Sequence, residues 1–348
     1  MTALRMAVIG TGALGRHHAR ILAEMQGVEL VAVADTNPRA AAETAERCKT
    51  QFTLNYRELA GIVQAVVVAV PTSAHRRVAG DMVAAGIDVF VEKPIAAGID
   101  EARELVELAD RRKALLQVGH VERFNPALIA ARPFLENPRY IRAERLGPFS
   151  FRSTDIGVVH DLMIHDIDLV LDLVAAPVAG IQAFAASILG EREDCAQARI
   201  TFANGTIADL AANRVSPVAR RQMQVWGDDD CVHIDFMARE ALRYRRSPLL
   251  RFGVGPLERA RQTGADVEKL KADIFGAYID VHKPAVVLRD QLTEELQAFS
   301  ECVRTRKAPP VDGNAALKAM LVAGQILDQA AAPPWSPARP APLRRKAG

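Results

Sequence analysis

The chain has 348 residues, 49% of them hydrophobic, with 44 Lys and Arg against 42 Asp and Glu. That length provides for one large or two ordinary domains with a substantial core, and the near-balance of charge (formally +2) leaves no basic footprint for nucleic acid. No apolar run approaches the length needed to span a membrane and the start carries no signal-peptide pattern. Cys48, Cys195, Cys231 and Cys302 are scattered without a C-x-x-C. They read as free thiols in a reducing cytoplasm, not as a metal site or a disulfide framework.

The first elements are the most informative. The apolar run Met6 to Ile9 reads as a buried strand, and Ala19 to Met25 sets a helical pattern. Between them Gly10-Thr11-Gly12-Ala13-Leu14-Gly15 has the spacing G-x-G-x-x-G. Gly10 permits a tight turn, Gly12 lets backbone N–H groups approach a pyrophosphate, and Gly15 lets the helix lie close to the strand. The helix N-terminus then faces the phosphates with its positive dipole end. Thr11, Ala13 and Leu14 join the glycines as cofactor contacts. A second strand, Leu30 to Ala34, ends in Asp35, twenty residues past Gly15, where a carboxylate meets the adenosine ribose hydroxyls. The expected cofactor is NAD, preferred over NADP because Asp35 repels a 2′-phosphate; Arg39 lies close enough in sequence to weaken that preference.

Asn37-Pro38 starts a helix that runs to Cys48, with proline at its first position, and Tyr56 to Leu59 reads as a short helix. Ala65 to Val70 is apolar on both faces, as strands of parallel sheets are. It runs into Pro71-Thr72-Ser73. Carboxyl ends of such strands face the ligand crevice, so Val70, Pro71 and Thr72 are candidate cofactor contacts, with His75 on the helix that follows; a plain strand–helix turn is the alternative. A helix (Ala74 to Ala85) and the strand Val89 to Val91 lead to Glu92-Lys93-Pro94, again on the ligand side. Pro94 restricts Lys93 to extended geometry and fixes its direction. Glu92 and Lys93 are therefore cofactor-side residues. A helix (Asp100 to Arg111) and the strand Leu115 to Gly119 complete a doubly wound α/β domain over residues 1–121.

The pattern then changes. A helix (Pro126 to Leu135) and a strand (Tyr140 to Leu146) precede the stretch Val158 to Leu173. Strands dominate beyond it: Gly180 to Leu189, Ala196 to Phe202, Thr206 to Ala212, Arg221 to Trp226 and Cys231 to Phe236. Asn204-Gly205 is a two-residue hairpin signal. Residues 122–332 read as an α+β domain with an open, mostly antiparallel sheet. Residues 248–281 look like an insertion or mobile lid, with helix-prone charge near Val267. Helices follow over Asp290 to Arg306 and Ala315 to Gln329. The Pro-rich tail 333–348 cannot build a core and reads as disordered. Ile181, Ala183, Ala185, Ile200, Phe202 and Ala208 alternate in a way that leaves an apolar sheet face without a helix, a mark of an interface.

With Val158 to Leu173 as a helix, Asp161, His165 and Asp168 project from one face. Such a stripe is costly to bury unless its members serve each other or a ligand. A histidine held by a neighbouring carboxylate suits proton transfer near neutral pH. A satisfied structural cluster explains the same spacing.

Taken together, the glycine loop, Asp35, Pro71-Thr72, Glu92-Lys93-Pro94, Asp161…His165…Asp168 and Asp312-Gly313…Ala316-Leu317 resemble the glucose–fructose oxidoreductase / inositol dehydrogenase / rhizopine-catabolism (Gfo/Idh/MocA) family over nearly the whole chain. The resemblance implies that Lys93 contacts the reacting hydroxyl and the carboxamide of the cofactor. It makes His165 the acid/base, with Asp161 as its partner. It also implies a homodimer or homotetramer packed through the C-terminal sheet. Val118 to Pro126, Val159 to Asp168 and Ala212 to Ser216 are similar to the branch that contains UDP-N-acetylglucosamine 3-dehydrogenases. Those enzymes make the 3-keto sugar nucleotide used for the 3-amino sugar of some lipid A. Arg123, Arg152 and Arg214 are then partners for a diphosphate, since the guanidinium fork matches phosphate oxygens, and Asn125 joins them on the substrate side. A surface or structural role is the alternative for each arginine. The expected activity is NAD-dependent oxidation of a secondary hydroxyl of a sugar nucleotide. An inositol or aldose dehydrogenase of the same family and a non-enzymatic NAD-responsive binding protein are the alternatives.

Overall fold

The computed structural model describes residues 2–151 and 156–331, so Arg152 and the Pro-rich tail lie outside the described residues. Short runs of Val, Ala and Ile form a parallel sheet from β1 (Leu4–Ile9), β2 (Val28–Ala34), β3 (Gln51–Thr53), β4 (Ala65–Val68), β5 (Asp88–Glu92) and β6 (Leu116–Gly119). The order is β3-β2-β1-β4-β5-β6, the doubly wound order whose ligand crevice opens where the direction reverses, between β1 and β4. Strand β3 went unassigned in the sequence because three residues carry no period. The connecting helices are α1 (Gly15–Glu24), α2 (Pro38–Cys48), α3 (Thr72–Ala84) and α4 (Ile99–Arg112). The Asn37 side chain caps α2 by accepting from the Arg39 and Ala40 amides, which satisfies donors that would otherwise lack partners.

After α5 (Pro126–Ala131) and β7 (Tyr140–Leu146), residues 159–163 make one π-helical turn that runs into α6 (Ile164–Leu173). The second sheet adds β8 (Val178–Ala186), β9 (Cys195–Phe202), β10 (Ile207–Asn213), β11 (Arg220–Trp226), β12 (Asp230–Asp235), β13 (Glu240–Arg246) and β14 (Ile279–His282), in the order β14-β13-β12-β11-β7-β10-β9-β8. Only β7 and β10 run parallel; the other neighbours are antiparallel. Residues 248–281, expected as an insertion or lid, form α7 (Pro248–Phe252), α8 (Pro256–Ala260) and α9 (Val267–Asp273) and return as β14. The chain closes with α10 (Gln291–Thr305) and α11 (Gly313–Ala331).

One expectation is corrected here. The inward positions of β8 to β10 are not bare: Ile200, Phe202 and Ala208 are fully buried, and Ile181, Ala183 and Ala185 pack against the same core as α6 and α11. Helix α11 lies more than a hundred residues downstream of these strands and covers β8, so local sequence gave no sign of the cover. The uncovered face is mixed: Tyr140, Arg142, Glu144, Gln182, Gln197, Arg199 and Asp209 surround a shallow cleft of about 570 Å³ that the exposed Phe184 also lines.

The last helices also return to the first sheet. Leu296, Phe299 and Val303 of α10 share a core with Met6, Val8, Leu22 and Phe90. Arg306 seals the end of α10 by pairing with Asp88 and donating to the Lys113 carbonyl. Among the described residues no helix is long and apolar enough to cross a membrane.

Candidate active site

The glycine loop behaves as its spacing requires. Gly10 has φ +95°, and a Cβ there would stand 2.5 Å from the Ala69 carbonyl oxygen; one at Gly15 would meet the Gly10 carbonyl oxygen at 1.8 Å. A Cβ at Gly12 would meet nothing within 4 Å, so that side of the loop is open to a ligand. The cleft beside it holds about 370 Å³ and is lined by Gly10, Gly12, Asp35, Tyr56, Val70 and Pro71 among others. Thr11, Ala13 and Leu14 complete the loop, and Thr72 opens α3 at the next strand end.

Asp35 is held in place from behind. Its Oδ2 accepts from the Thr11 amide at 2.7 Å and the Thr11 hydroxyl at 2.9 Å, and Oδ1 accepts from the Asn37 amide at 2.8 Å. Burial works to raise its pKa, but the amides of Asn37 and Thr11 outweigh it and hold the carboxylate below its usual range. A fixed anion at this point fits a ribose diol. With the open side of Gly12, it makes the cleft fit a dinucleotide.

Two expected cofactor contacts face elsewhere. His75 is buried, with Nδ1 at 2.8 Å from the Pro94 carbonyl and Nε2 at 2.9 Å from that of Val70, and it ties the two strand ends together. The Glu92 carboxylate is occupied by His18 of α1 at 2.6 Å in a buried pair. Burial would raise its pKa, yet the hydrogen bond to His18 keeps it lowered.

Lys93 stands just past the end of β5, the neighbour of β4 in the sheet. Its Nζ donates to the Asp161 carbonyl oxygen at 2.7 Å and to Asp161 Oδ1 at 3.0 Å. This corrects the expected pairing of Asp161 with His165. A π turn takes more residues than an α turn, so Asp161 and His165 do not stack at i, i+4, and Asp161 faces the lysine. Asp168 is taken as well: Arg123 grips it with two bonds of 2.7 Å. His165 makes no hydrogen bond among the described residues; its Nδ1 is buried without a partner, and its ring stands edge-on to His120 at 6.2 Å. The residue is partly exposed. Burial, then the charges of Lys93 and Arg145, push its pKa well below the ordinary histidine value. It is therefore a neutral imidazole at physiological pH, free to accept a proton.

The substrate-side expectations fare differently. Besides Asp168, Arg123 binds Asp172 at 2.7 Å, so this guanidinium serves the fold. Arg214 donates to Asp194 and to the Ile156 carbonyl, both at 2.8 Å, and lies 5.4 Å over the Phe149 ring. Asn125 is buried; it caps α5 by accepting from the Ala127 amide and donates to Glu122 and the Phe236 carbonyl. In each case the side chain meets groups that burial leaves without water. Sequence reasoning missed Arg145, which is buried between Asp166 at 2.8 Å and Glu122 at 2.7 Å. The signal was present in β7: Ile141, Ala143 and Arg145 share the inward register.

A dinucleotide cleft, with a lysine at the end of a strand of the same sheet and a neutral histidine on the helix that follows the turn this lysine grips, is the layout of an oxidoreductase that works with a nicotinamide cofactor. Comparison with known proteins agrees. Residues 4–120 match the model of an oxidoreductase family with an NAD-binding Rossmann fold, and residues 136–233 match the C-terminal domain of the same family. The chain belongs to the Gfo/Idh/MocA oxidoreductase family. It is 33% identical to the UDP-N-acetylglucosamine 3-dehydrogenase of Acidithiobacillus ferrooxidans over 94% of this chain and 97% of that one. A solved structure of that enzyme superposes with a TM-score of 0.83 at 32% identity, covering 94% of this chain and 98% of the other. The scyllo-inositol 2-dehydrogenase (NAD(+)) of Bacillus subtilis is 27% identical over 88% of each chain. A levoglucosan dehydrogenase solved with NADH and levoglucosan shares the fold, with a TM-score of 0.79 at 18% identity over 95% and 98% of the two chains.

Proposed function

We propose that the protein oxidises a secondary hydroxyl of a sugar nucleotide with NAD, and that the substrate is UDP-N-acetylglucosamine, oxidised at its 3-hydroxyl. The observation that carries this is the 33% identity to an enzyme of that activity along 94% of the chain, both domains included. The scyllo-inositol 2-dehydrogenase of Bacillus subtilis, which matches along comparable length, does so at 27% identity over 88% of the chain. NAD when bound supplies the carbon that takes up hydride. His165, neutral and partly exposed, accepts the hydroxyl proton. Lys93, held by Asp161, donates a hydrogen bond to the same oxygen and stabilises negative charge as it develops there. The 3-keto product is suited to transamination, the step that leads to a 3-amino sugar such as that of some lipid A. A homodimer or homotetramer packed through the uncovered face of the second sheet belongs to the same reading; light scattering at micromolar concentration tests it.

The activity is tested by NADH formation from a panel of UDP-sugars, inositols and aldoses. Turnover of UDP-N-acetylglucosamine with efficiency well above the rest is expected. A free cyclitol or aldose as the best substrate overturns the reading.

A further inference from the structure

The arginines nominated by the sequence for a diphosphate are engaged or outside the described residues, but a different one stands in the right place. Arg221 pairs in register with Arg145 across β11 and β7. Arg145 is saturated by Asp166 and Glu122, and Asp166 is the residue after His165. Arg221 is exposed, and its guanidinium makes no hydrogen bond or ion pair among the described residues. Alternation along β11 separates it from its neighbour. Arg220 turns to the uncovered face and pairs with Glu144, whereas Arg221 shares the side of buried Met223 and Val225, towards α6 and the site. Its charge is felt there, being one of the cations that lower His165.

A second, independent feature lies at the same end of the sheet. Phe149 and Phe151 follow directly on β7 and meet edge-to-face at 5.0 Å. Phe151 is 85% exposed, a large apolar area for one side chain to leave in water. The segment is anchored to the loop that leads into β11: the Gly147 amide donates to the Asn213 carbonyl and the Ser216 amide to the Gly147 carbonyl. Arg214 backs the Phe149 ring. A guanidinium near α6, unpaired among the described residues, and an exposed aromatic pair at the same end of the sheet carry the two chemistries a nucleoside diphosphate requires, a charge-assisted fork for phosphate oxygens and a π-face for a base.

We propose that Arg221 and the Phe149–Phe151 pair form a nucleoside-diphosphate subsite, with the guanidinium on the diphosphate and the aromatic pair against the base. This rests on the sugar-nucleotide reading and gives it named residues. Arg221 is thereby a substrate-binding residue that takes no part in proton transfer.

The test is titration of UDP, and separately of inorganic diphosphate, into the full chain with NAD present. Arg221→Gln is expected to weaken both ligands by about tenfold or more. Phe151→Ala is expected to weaken UDP by a similar factor and leave inorganic diphosphate unchanged. Both side chains are exposed, so melting temperature and NADH affinity stay as in the unaltered protein and report the fold. In kinetics, Arg221→Gln raises KM for UDP-N-acetylglucosamine more than it lowers kcat. If the unaltered protein turns over that substrate and both variants bind UDP as before, this inference falls alone. If the unaltered protein binds no UDP and oxidises a free cyclitol or aldose, the inference and the sugar-nucleotide reading fall together.

Discussion

Lys93 and Asp161 are 68 residues apart in sequence, yet one ammonium bonds both the backbone carbonyl and the carboxylate of the same aspartate. The lysine belongs to the first sheet and the aspartate to the π turn that leads into α6. The pair therefore stitches the two halves of the site together.

Because Asp161 acts on Lys93, their substitutions should be coupled. Lys93→Met is expected to lower turnover by about 10²–10⁴. Asp161→Asn costs less, since the carbonyl bond remains. The double variant should lose little beyond Lys93→Met alone, a non-additivity that a double-mutant cycle in steady-state kinetics measures directly. Additive losses would show that the two residues act separately.

His165 without an acidic partner makes a different prediction from His165 with one. In the proposed reaction the neutral ring is the acceptor, and burial with nearby cations lowers its pKa. The acidic limb of kcat/KM for oxidation therefore lies below the ordinary histidine value of about 6.5. A limb at or above that value would mean that a carboxylate reaches the ring in the free enzyme. His165→Ala should lose about 10²–10⁴ in turnover while NADH titration by fluorescence stays unchanged.

The clamp on Asp35 bears on cofactor choice. With Thr11 and Asn37 fixing the carboxylate, NAD should be favoured over NADP. Asp35→Ser should shift the ratio of catalytic efficiencies towards NADP by about tenfold or more, roughly the weight of one charge-assisted contact. Equal efficiency of the unaltered protein with both cofactors would remove Asp35 from this role.

The Arg145–Asp166–Glu122 cluster is buried on all sides. Arg145→Met leaves two carboxylates without their counter-ion and should destabilise the fold by about 3–5 kcal/mol. Adding Asp166→Leu and Glu122→Leu should recover most of that loss. Chemical denaturation of the single and triple variants checks both halves of the statement.

Glu295 of α10 is fully buried, and among the described residues neither carboxylate oxygen has a hydrogen-bond partner. Burial pushes its pKa well above the carboxylate range. A folded-state value above the unfolded one gives stability that is present at low pH and lost as pH rises towards the folded value. Glu295→Gln removes that dependence. It should raise the melting temperature at about pH 8 and do so much less at about pH 4, below the unfolded value of about 4.3.

Local patterns made much of this protein legible. The glycine loop, Asp35 and the parallel strands each carry a physical requirement in a few adjacent residues. Lys93, Asp161 and His165 were nominated from patterns of the same kind. Their pairing was not legible, because a π turn changes which side chains share a face and leaves no mark in residue spacing. Arg123, Asn125, His75 and Glu92 were nominated by type. His75 and Asn125 each join a near partner to a distant one, while the partners of Arg123 and Glu92 come from distant elements that no window of sequence contains. The cover over β8 to β10 escaped for the same reason. Strand β13 escaped because it is rich in arginine and lies near the sheet edge, where alternation is weak.

The packing of α10 against β1 and β5 has a consequence for how the chain is made. The nucleotide-binding half leaves the ribosome first, but one side of its sheet waits for Leu296, Phe299 and Val303. Until α10 has been synthesised, Met6 and Phe90 lack the part of their cover that Leu296, Phe299 and Val303 supply. Birth order and completion order thus run opposite ways in this molecule, and a nascent chain stalled before α10 would be a client for chaperones.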